Sequence, residues 1–253
     1  MCLVILAIGQ SPAWPLVIAA NRDEFHARAT QKAGWWPDRP KIYGGRDLQA
    51  GGSWLLLHRE GRFATVTNYR DAQAVRPNRR SRGHLVTDFL DSQSAPLTYL
   101  EQIDGADYAG FNLIVGDADS VAYCSNRGKP AQTLGPGIYG LSNALLDDPW
   151  DKVRRSKQAL SELFNSNTVN ESTLFRLLDD RNPGPIEEVD ATGLGFTMAR
   201  AITAPFIQTP SYGTRCSTVI LVDKAGTWRM TEKRFDAGGR ASGESRTRFA
   251  APA

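Results

Sequence analysis

Several functional classes are missing their usual marks in this sequence. Its 253 residues include only three cysteines and three histidines. Cys2, Cys124 and Cys216 are odd in number and contain no CxxC pair, a pattern that fits neither a disulfide framework nor a structural zinc site. A reducing, cytoplasmic setting suits that usage. The formal net charge is +3, too small and too dispersed for a nucleic-acid face. Arg76, Arg79, Arg80 and Arg82 do bunch, but Pro77 and Asn78 interrupt them, and they read as a solvated loop. There is no GxSxG, P-loop or GxGxxG, so a serine elbow and a nucleotide-phosphate cradle are both poor candidates. His26, His58 and His84 are scattered with no acid at metal-ligand spacing, so no metal and no cofactor is expected. No apolar run is long enough to span a bilayer. The opening MCLVILAI has neither a basic flank nor a cleavage site and reads as a buried strand rather than a leader.

What the chain does carry is a β-rich pattern with helices in the middle. Leu3 to Ile8 and Leu16 to Ala20 are apolar runs that suggest a hairpin buried on both faces. Asn21 to Trp36 turns polar and then aromatic, and is expected to leave the sheet as an irregular loop. Ser53 to His58 and Arg62 to Thr67 flank the turn signal Glu60-Gly61 and predict a second hairpin. Helical spacing follows at 83–91, 96–103, 150–164 and 171–178, with strands at 111–115, 121–125 and 138–141. Residues 181–212, rich in Pro, Gly and Thr, read as an irregular rim or lid. Ser217 to Val222 and Thr227 to Arg234 predict a closing hairpin. Residues 1–236 are thus expected to form one domain, and 237–253, rich in Gly, Ser, Arg and Ala, a flexible tail. Strands from both chain ends with helices between them suggest α+β layers stacked α-β-β-α.

Cys2 is the most suggestive residue. If Met1 is excised, Cys2 carries both a thiol and an α-amine, and an amine titrating near pH ~8 can take the thiol proton without a histidine. Such a site requires a free amine and a thiol of lowered pKa. The plainer alternative is a small apolar residue that opens a strand. Asn21, Arg22, Asp23 and Glu24 form a polar block after a buried strand. Arg22 can lower a thiol pKa and Asp23 can hold an α-ammonium; equally, the four can form a local charge cluster. Asn68 and Asn143, at strand ends, are suitable oxyanion donors or ordinary turn residues. Arg215, at the entrance of the final hairpin, can bind a carboxylate or support Cys2. Cys124 and Cys216 sit in apolar strands as inert core thiols.

These residues lie in blocks that resemble a known family. Ala19-Ala20-Asn21-Arg22-Asp23-Glu24 matches the signature for which the NRDE family, also called the transport and Golgi organisation 2 family, is named. Met1-Cys2-Leu3, Trp35-Trp36, Gly45-Arg46-Asp47, Gly51-Gly52-Ser53-Trp54 and Val66-Thr67-Asn68-Tyr69-Arg70 extend the match. So do Gly140-Leu141-Ser142-Asn143, Pro149-Trp150 with Lys152-Val153, Tyr212-Gly213-Thr214-Arg215 and Ser217-Thr218-Val219. The resemblance implies an N-terminal nucleophile hydrolase fold with largely antiparallel sheets, similar to the choloylglycine hydrolase and penicillin acylase group. It implies Cys2 as nucleophile, Asp23 as partner of its amine, Asn68 and Asn143 as oxyanion or amine contacts, and Arg22 and Arg215 near the thiol. In the choloylglycine group the arginine falls where this chain has Ala20.

Two functions follow. The first is an amidohydrolase for a small acyl or amide substrate, with Asn21, Arg22, Trp35 and Trp36 helping to bind it in a mostly apolar pocket. The second is a non-catalytic binding or trafficking protein that holds haem or an acyl ligand in the same cleft.

Overall fold

The computed structural model describes residues 2–70, 79–185, 187 and 194–252. Met1, the Arg76-Pro77-Asn78 part of the basic stretch, and 186 and 188–193 within the expected lid lie outside the described residues. The chain opens with β1 (Cys2–Ser11), β2 (Trp14–Phe25), β3 (Thr30–Trp36), β4 (Arg39–Asp47), β5 (Leu55–His58) and β6 (Arg62–Asn68). Helices α1 (Arg82–Asp91) and α2 (Pro96–Glu101) lead to β7 (Phe111–Gly116), β8 (Val121–Ser125), β9 (Gln132–Leu134) and β10 (Gly137–Leu141). Helices α3 (Asp151–Asn165), α4 (Glu171–Leu178) and α5 (Phe196–Ala201) precede β11 (Tyr212–Val222), β12 (Thr227–Phe235) and β13 (Ala241–Ala250).

The strands build two antiparallel sheets, in the orders β10-β1-β2-β11-β12-β13 and β3-β4-β5-β6-β7-β8-β9. Strand alternation sorts the core. On β1, Val4 and Leu6 face the second sheet, where they meet Leu55, Leu57 and Phe63. Leu3, Ile5 and Ala7 face the other way, onto Val153 and Leu160 of α3 and Leu174 and Leu178 of α4. Leu56, Val66 and Leu113 of the second sheet likewise pack on Leu85, Phe89 and Leu100 of α1 and α2. The result is the α-β-β-α sandwich, and it explains why β1 is apolar at every position from Leu3 to Ala7: both its faces are covered there.

Besides α5, which lies in the stretch expected to be irregular, two segments differ from the sequence expectation. The polar block 21–24 does not end the sheet; β2 runs on to Phe25, and β3 resumes within the other sheet. A polar run can stay in a sheet when each side chain finds a buried partner, and here Asn21, Arg22 and Asp23 do. The second difference is at the carboxyl end, where β13 pairs with β12 from Thr227↔Ala250 to Arg234↔Gly243. Its low apolar content reflects an edge strand with charged side chains, which also discourages further strand addition. Phe249 is the exception and packs with its ring centroid 5.8 Å from that of Trp35.

Trp54 is fixed from three sides. Its carbonyl accepts from the Thr65 hydroxyl at 3.0 Å and from the Val66 amide at 2.9 Å, and its ring lies against Gly45. A Cβ at position 45 would fall 2.3 Å from that ring. Gly45→Ala is therefore expected to lower stability by about 1–3 kcal/mol through overpacking. The check is the urea midpoint, followed by tryptophan fluorescence; an unchanged midpoint would mean that the ring is not confined.

Candidate active site

Cys2 is the first residue of β1 and is half-buried. Across the ladder its Cα partner is Arg22 on β2, and Arg22 in turn pairs with Cys216 on β11. On the other side, the register Val4↔Leu141 carries Ser142 and Asn143 alongside the start of β1. The Ser142 hydroxyl donates to the Cys2 carbonyl at 2.9 Å. Asn143, 1% exposed, donates from Nδ2 to the Asn68 carbonyl at 2.7 Å, and its own carbonyl accepts from the Arg70 amide at 2.6 Å. The ends of β1, β6 and β10 are thereby stitched together around the thiol. Burial pushes the Cys2 thiol up; the amino terminus and Arg22 pull it down, and Asp23 adds to the rise. The net direction is opposite to the lowered thiol expected from sequence, because desolvation outweighs the nearby cations.

Asp23 lies on the helix-facing side of the same sheet and is 2% exposed. Its Oδ1 accepts from the Thr214 hydroxyl at 2.6 Å, and that hydroxyl itself accepts from the Ile207 amide at 2.9 Å. A register shift between Thr214 and Cys216 sets Thr214 opposite Asp23. Burial raises the Asp23 carboxyl to about 6, against the pull of the amino terminus, Lys152, Thr214 and Arg22. The Tyr212 hydroxyl donates to the Asp23 backbone carbonyl at 2.8 Å. Lys152, Thr214 and Tyr212 had no role in the reading of the residues. Lys152 had a usable signal: it shares the buried stripe of α3 with Ser156 and Leu160, where a lysine must find a polar partner. Its Nζ donates to the Ile202 carbonyl at 3.1 Å.

The remaining candidates fall into distinct places. Arg22, 5% exposed, stacks 4.3 Å over Trp54, bonds Thr30 at 3.2 Å and lies 4.0 Å from Glu24. Asn21 is a structural tie. Its Nδ2 donates to the carbonyls of Leu178 and Pro205 at 2.8 and 2.9 Å, while its Oδ1 accepts from Ser217 at 2.5 Å. Arg215 spends Nη1 on the carbonyls of Phe25, His26 and Arg28 and so holds the turn between β2 and β3. Asn68 is exposed, and its bond to Asn143 is through its backbone carbonyl. Trp36 belongs to the layer under α1 and α2, with its indole N–H donated to the Gly44 carbonyl. Trp35 packs on Tyr43 and Phe249 at the rim. The aromatic ring beside Cys2 is that of Trp54, which faces the inter-sheet layer with Val4 and Ala20.

The space inward of the thiol is small. A cavity of about 10 Å³ is lined by Cys2, Val4, Ala20, Arg22, Trp54 and Thr218, close to the volume one water needs. Segment 181–210 does line a larger cavity, of about 670 Å³, walled by Arg181, Phe196, Arg200 and Phe206, but Cys2 is not among its lining residues. The histidines serve the local backbone: His26 Nε2 bonds the Thr209 carbonyl, His84 Nε2 the Ala50 carbonyl, and His58 Nδ1 the Glu60 amide. Among the described residues no three His, Cys, Asp or Glu side chains cluster as metal ligands, and no helix is long and apolar enough to cross a membrane.

Two measurements probe the parts played by Asn21 and Asp23. Asn21→Ala leaves two buried carbonyls without their donor and is expected to cost about 2–4 kcal/mol, read as a lower denaturation midpoint. The raised Asp23 carboxyl keeps its proton in the folded state between about pH 4 and 6, where the unfolded chain has lost it. Its contribution to stability is therefore present below pH ~4 and lost as pH rises through 6. Asp23→Asn should flatten that part of the stability profile; a slope that survives the substitution would assign it to another group.

Comparison with known proteins places this geometry in context. A family model described as Transport and Golgi organisation 2 matches residues 1–237. The Homo sapiens Transport and Golgi organization protein 2 homolog is 35% identical, with 98% of each chain covered. The Drosophila melanogaster Transport and Golgi organization protein 2 is 27% identical, with 92% of each covered. Among solved structures, a Caenorhabditis elegans N-acylethanolamine-hydrolyzing acid amidase ortholog superimposes with a TM-score of 0.51 at 14% identity, over 87% of this chain and 92% of that one. The mutant C2A conjugated bile acid hydrolase from Clostridium perfringens gives a TM-score of 0.54 at 8% identity, over 98% and 96%. The fold is that of the N-terminal nucleophile hydrolases. By the match along its length and its identity to these relatives, the chain belongs to the Transport and Golgi organisation 2 family.

Proposed function

We propose that this protein is a cysteine N-terminal nucleophile hydrolase that cleaves an amide or related acyl bond, with Cys2 as the nucleophile once Met1 is removed. The observation that carries the reading is the buried Asp23 carboxylate, fixed by Thr214 and within electrostatic reach of the Cys2 thiol. With its carboxyl at about 6, Asp23 is ionised at neutral pH and can orient the α-amine of a processed Cys2. The thiol, held up by burial, rests protonated. Attack therefore needs a base at the same residue, which the neutral α-amine supplies.

In the proposed cycle the amine removes the thiol proton as Sγ bonds to the carbonyl carbon. An Asn side chain has two amide protons. Asn143 gives one to Asn68, and the other is the donor proposed for the oxyanion. The ammonium then protonates the leaving nitrogen, the C–N bond breaks, and an acyl thioester remains. Water attacks the thioester, loses a proton to the amine, and releases the acid and the thiol. Both similar structures are described as amide-cleaving or conjugate-cleaving hydrolases, and the mutation in the second falls on a cysteine at position 2. That supports the assignment of Cys2 by analogy.

Intact mass and timed labelling of purified protein with iodoacetamide test the reading. The expected result is a chain lacking Met1 whose Cys2 is alkylated faster than free cysteine, with no such reaction in Cys2→Ala. Labelling should fall on an acid limb near pH 6, where Asp23 takes up its proton, and Asp23→Asn should slow it about 10²-fold and remove the limb. A retained Met1, or a Cys2 no faster than free cysteine, would overturn the mechanism.

A further inference from the structure

Strand alternation in the second sheet places a polar group at one end of an otherwise apolar layer. Phe63, Thr65 and Thr67 of β6, Asn112 and Ile114 of β7, and Val121 and Tyr123 of β8 face the first sheet. Thr67 and Asn112 are Cα partners across the ladder, and Thr67, Asn112 and Tyr123 are all buried. Polar groups in such a place are costly unless they are bonded. The Tyr123 hydroxyl accepts from the Leu146 amide at 3.1 Å and donates to Asn112 Oδ1 at 2.8 Å. Asn112 Nδ2 donates to the Ala144 carbonyl at 2.8 Å and to the Thr67 hydroxyl at 3.2 Å. Asn112 thereby spends both amide protons and its oxygen.

These bonds admit one proton order. The Leu146 amide can only donate, so the Tyr123 proton goes to Asn112 Oδ1. That turns Asn112 Nδ2 to the Ala144 carbonyl, which can only accept. Burial pushes the Tyr123 phenol up to about 12, so the order holds through the range in which Asp23 titrates. Both backbone targets lie in the turn after β10, and neither has a backbone partner among the described residues. The residue just before them is Asn143. Its Oδ1 lies 3.3 Å from the Ser142 hydroxyl, the same hydroxyl that donates to the Cys2 carbonyl at 2.9 Å. Two side chains of the second sheet therefore grip the turn that brings Asn143 to Cys2.

We propose that Asn112 and Tyr123 are positioning residues of the Cys2 site, holding residues 144–146 so that the second amide proton of Asn143 meets the carbonyl oxygen under attack. This rests on the hydrolase reading for the oxyanion, but the grip itself requires only that the pair hold Asn143 in place. An oxyanion donor acts only if it is fixed before the charge develops, and a misplacement of about 1 Å can cost ~10²-fold. Strand pairing of β10 with β1 ends at Leu141, so no ladder fixes Asn143. Asn112 and Tyr123 supply from the facing sheet the rigidity that a ladder would otherwise give.

The test compares two reactions of the same thiol. With p-nitrophenyl acetate, Sγ bonds to the acetyl carbon, the thiol proton passes to the α-amine, and p-nitrophenolate leaves as the C–O bond breaks; an oxyanion forms on the way. Iodoacetamide alkylates Sγ by displacing iodide and forms none. Tyr123→Phe is expected to slow acylation about tenfold and to leave alkylation within about twofold of the native rate. Asn112→Leu should slow acylation ~10²-fold; Tyr123→Phe keeps the ring and carries the test if Asn112→Leu does not fold. Loss of both rates alike in Tyr123→Phe, or of neither, would overturn the proposal. If native Cys2 is not acylated at all, the hydrolase reading fails, and the grip is read by NMR from hydrogen exchange of the Asn143 side-chain amide. That exchange should speed up about tenfold in Tyr123→Phe. Unchanged exchange would overturn the grip as well.

Discussion

The structure depends on keeping a block of polar side chains inside a sheet with no water to solvate them. Asn21, Arg22 and Asp23 occupy consecutive positions of β2, the third strand of six in its sheet. Alternation sends Asn21 and Asp23 to the helix side and Arg22 to the space between the sheets. Each demands a partner there, and the rest of the fold supplies it. Asn21 recruits the chain after α4, Asp23 recruits the Thr214 hydroxyl and draws charge from Lys152, and Arg22 rests on Trp54. Removing any one partner leaves a buried group exposed to the full desolvation cost. The site and the core are for this reason the same object.

This division also separates chemistry from support. The inter-sheet face carries the thiol, the arginine and the tryptophan, while the helix face carries the carboxylate and the lysine. Cys2, the first residue of β1, lies where the two faces meet. On the proposed reading, a nucleophile and the group that orients its amine sit on opposite faces of one sheet and still act on the same residue.

Four hairpins, β1–β2, β5–β6, β7–β8 and β11–β12, and four of the five α-helices named among the described residues were legible in the sequence because apolar periodicity there agrees with tertiary burial. The extension of β2 was not, since polar residues in a row look like a sheet exit unless their partners, Leu178, Pro205 and Thr214, are known. Those partners are more than 150 residues away in sequence. The polar edge strand β13 was hidden for the opposite reason: only Phe249 reports a packed face. Cys2, Arg22, Asp23 and Asn143, candidates on sequence, lie near one another around the start of β1. Trp35 and Trp36 drew attention by their bulk, but residue type alone does not tell which face of the sheet an aromatic will cover. Trp54, the ring beside the thiol, lay in a predicted strand and in a family block but was not named as a site residue.

Asn21 has a consequence for motion. It is two residues from Asp23 on the same face of one strand, and it grips the carbonyls of Leu178 and Pro205 at both ends of the segment that contains α5. Peeling that segment away would break both bonds and unload the strand beside Asp23. Those two bonds couple the Leu178 and Pro205 backbone to the strand that carries Asp23. Amide exchange at Phe206, beside Pro205, and the alkylation rate of Cys2 would then rise and fall together, a kinetic signature written into one asparagine.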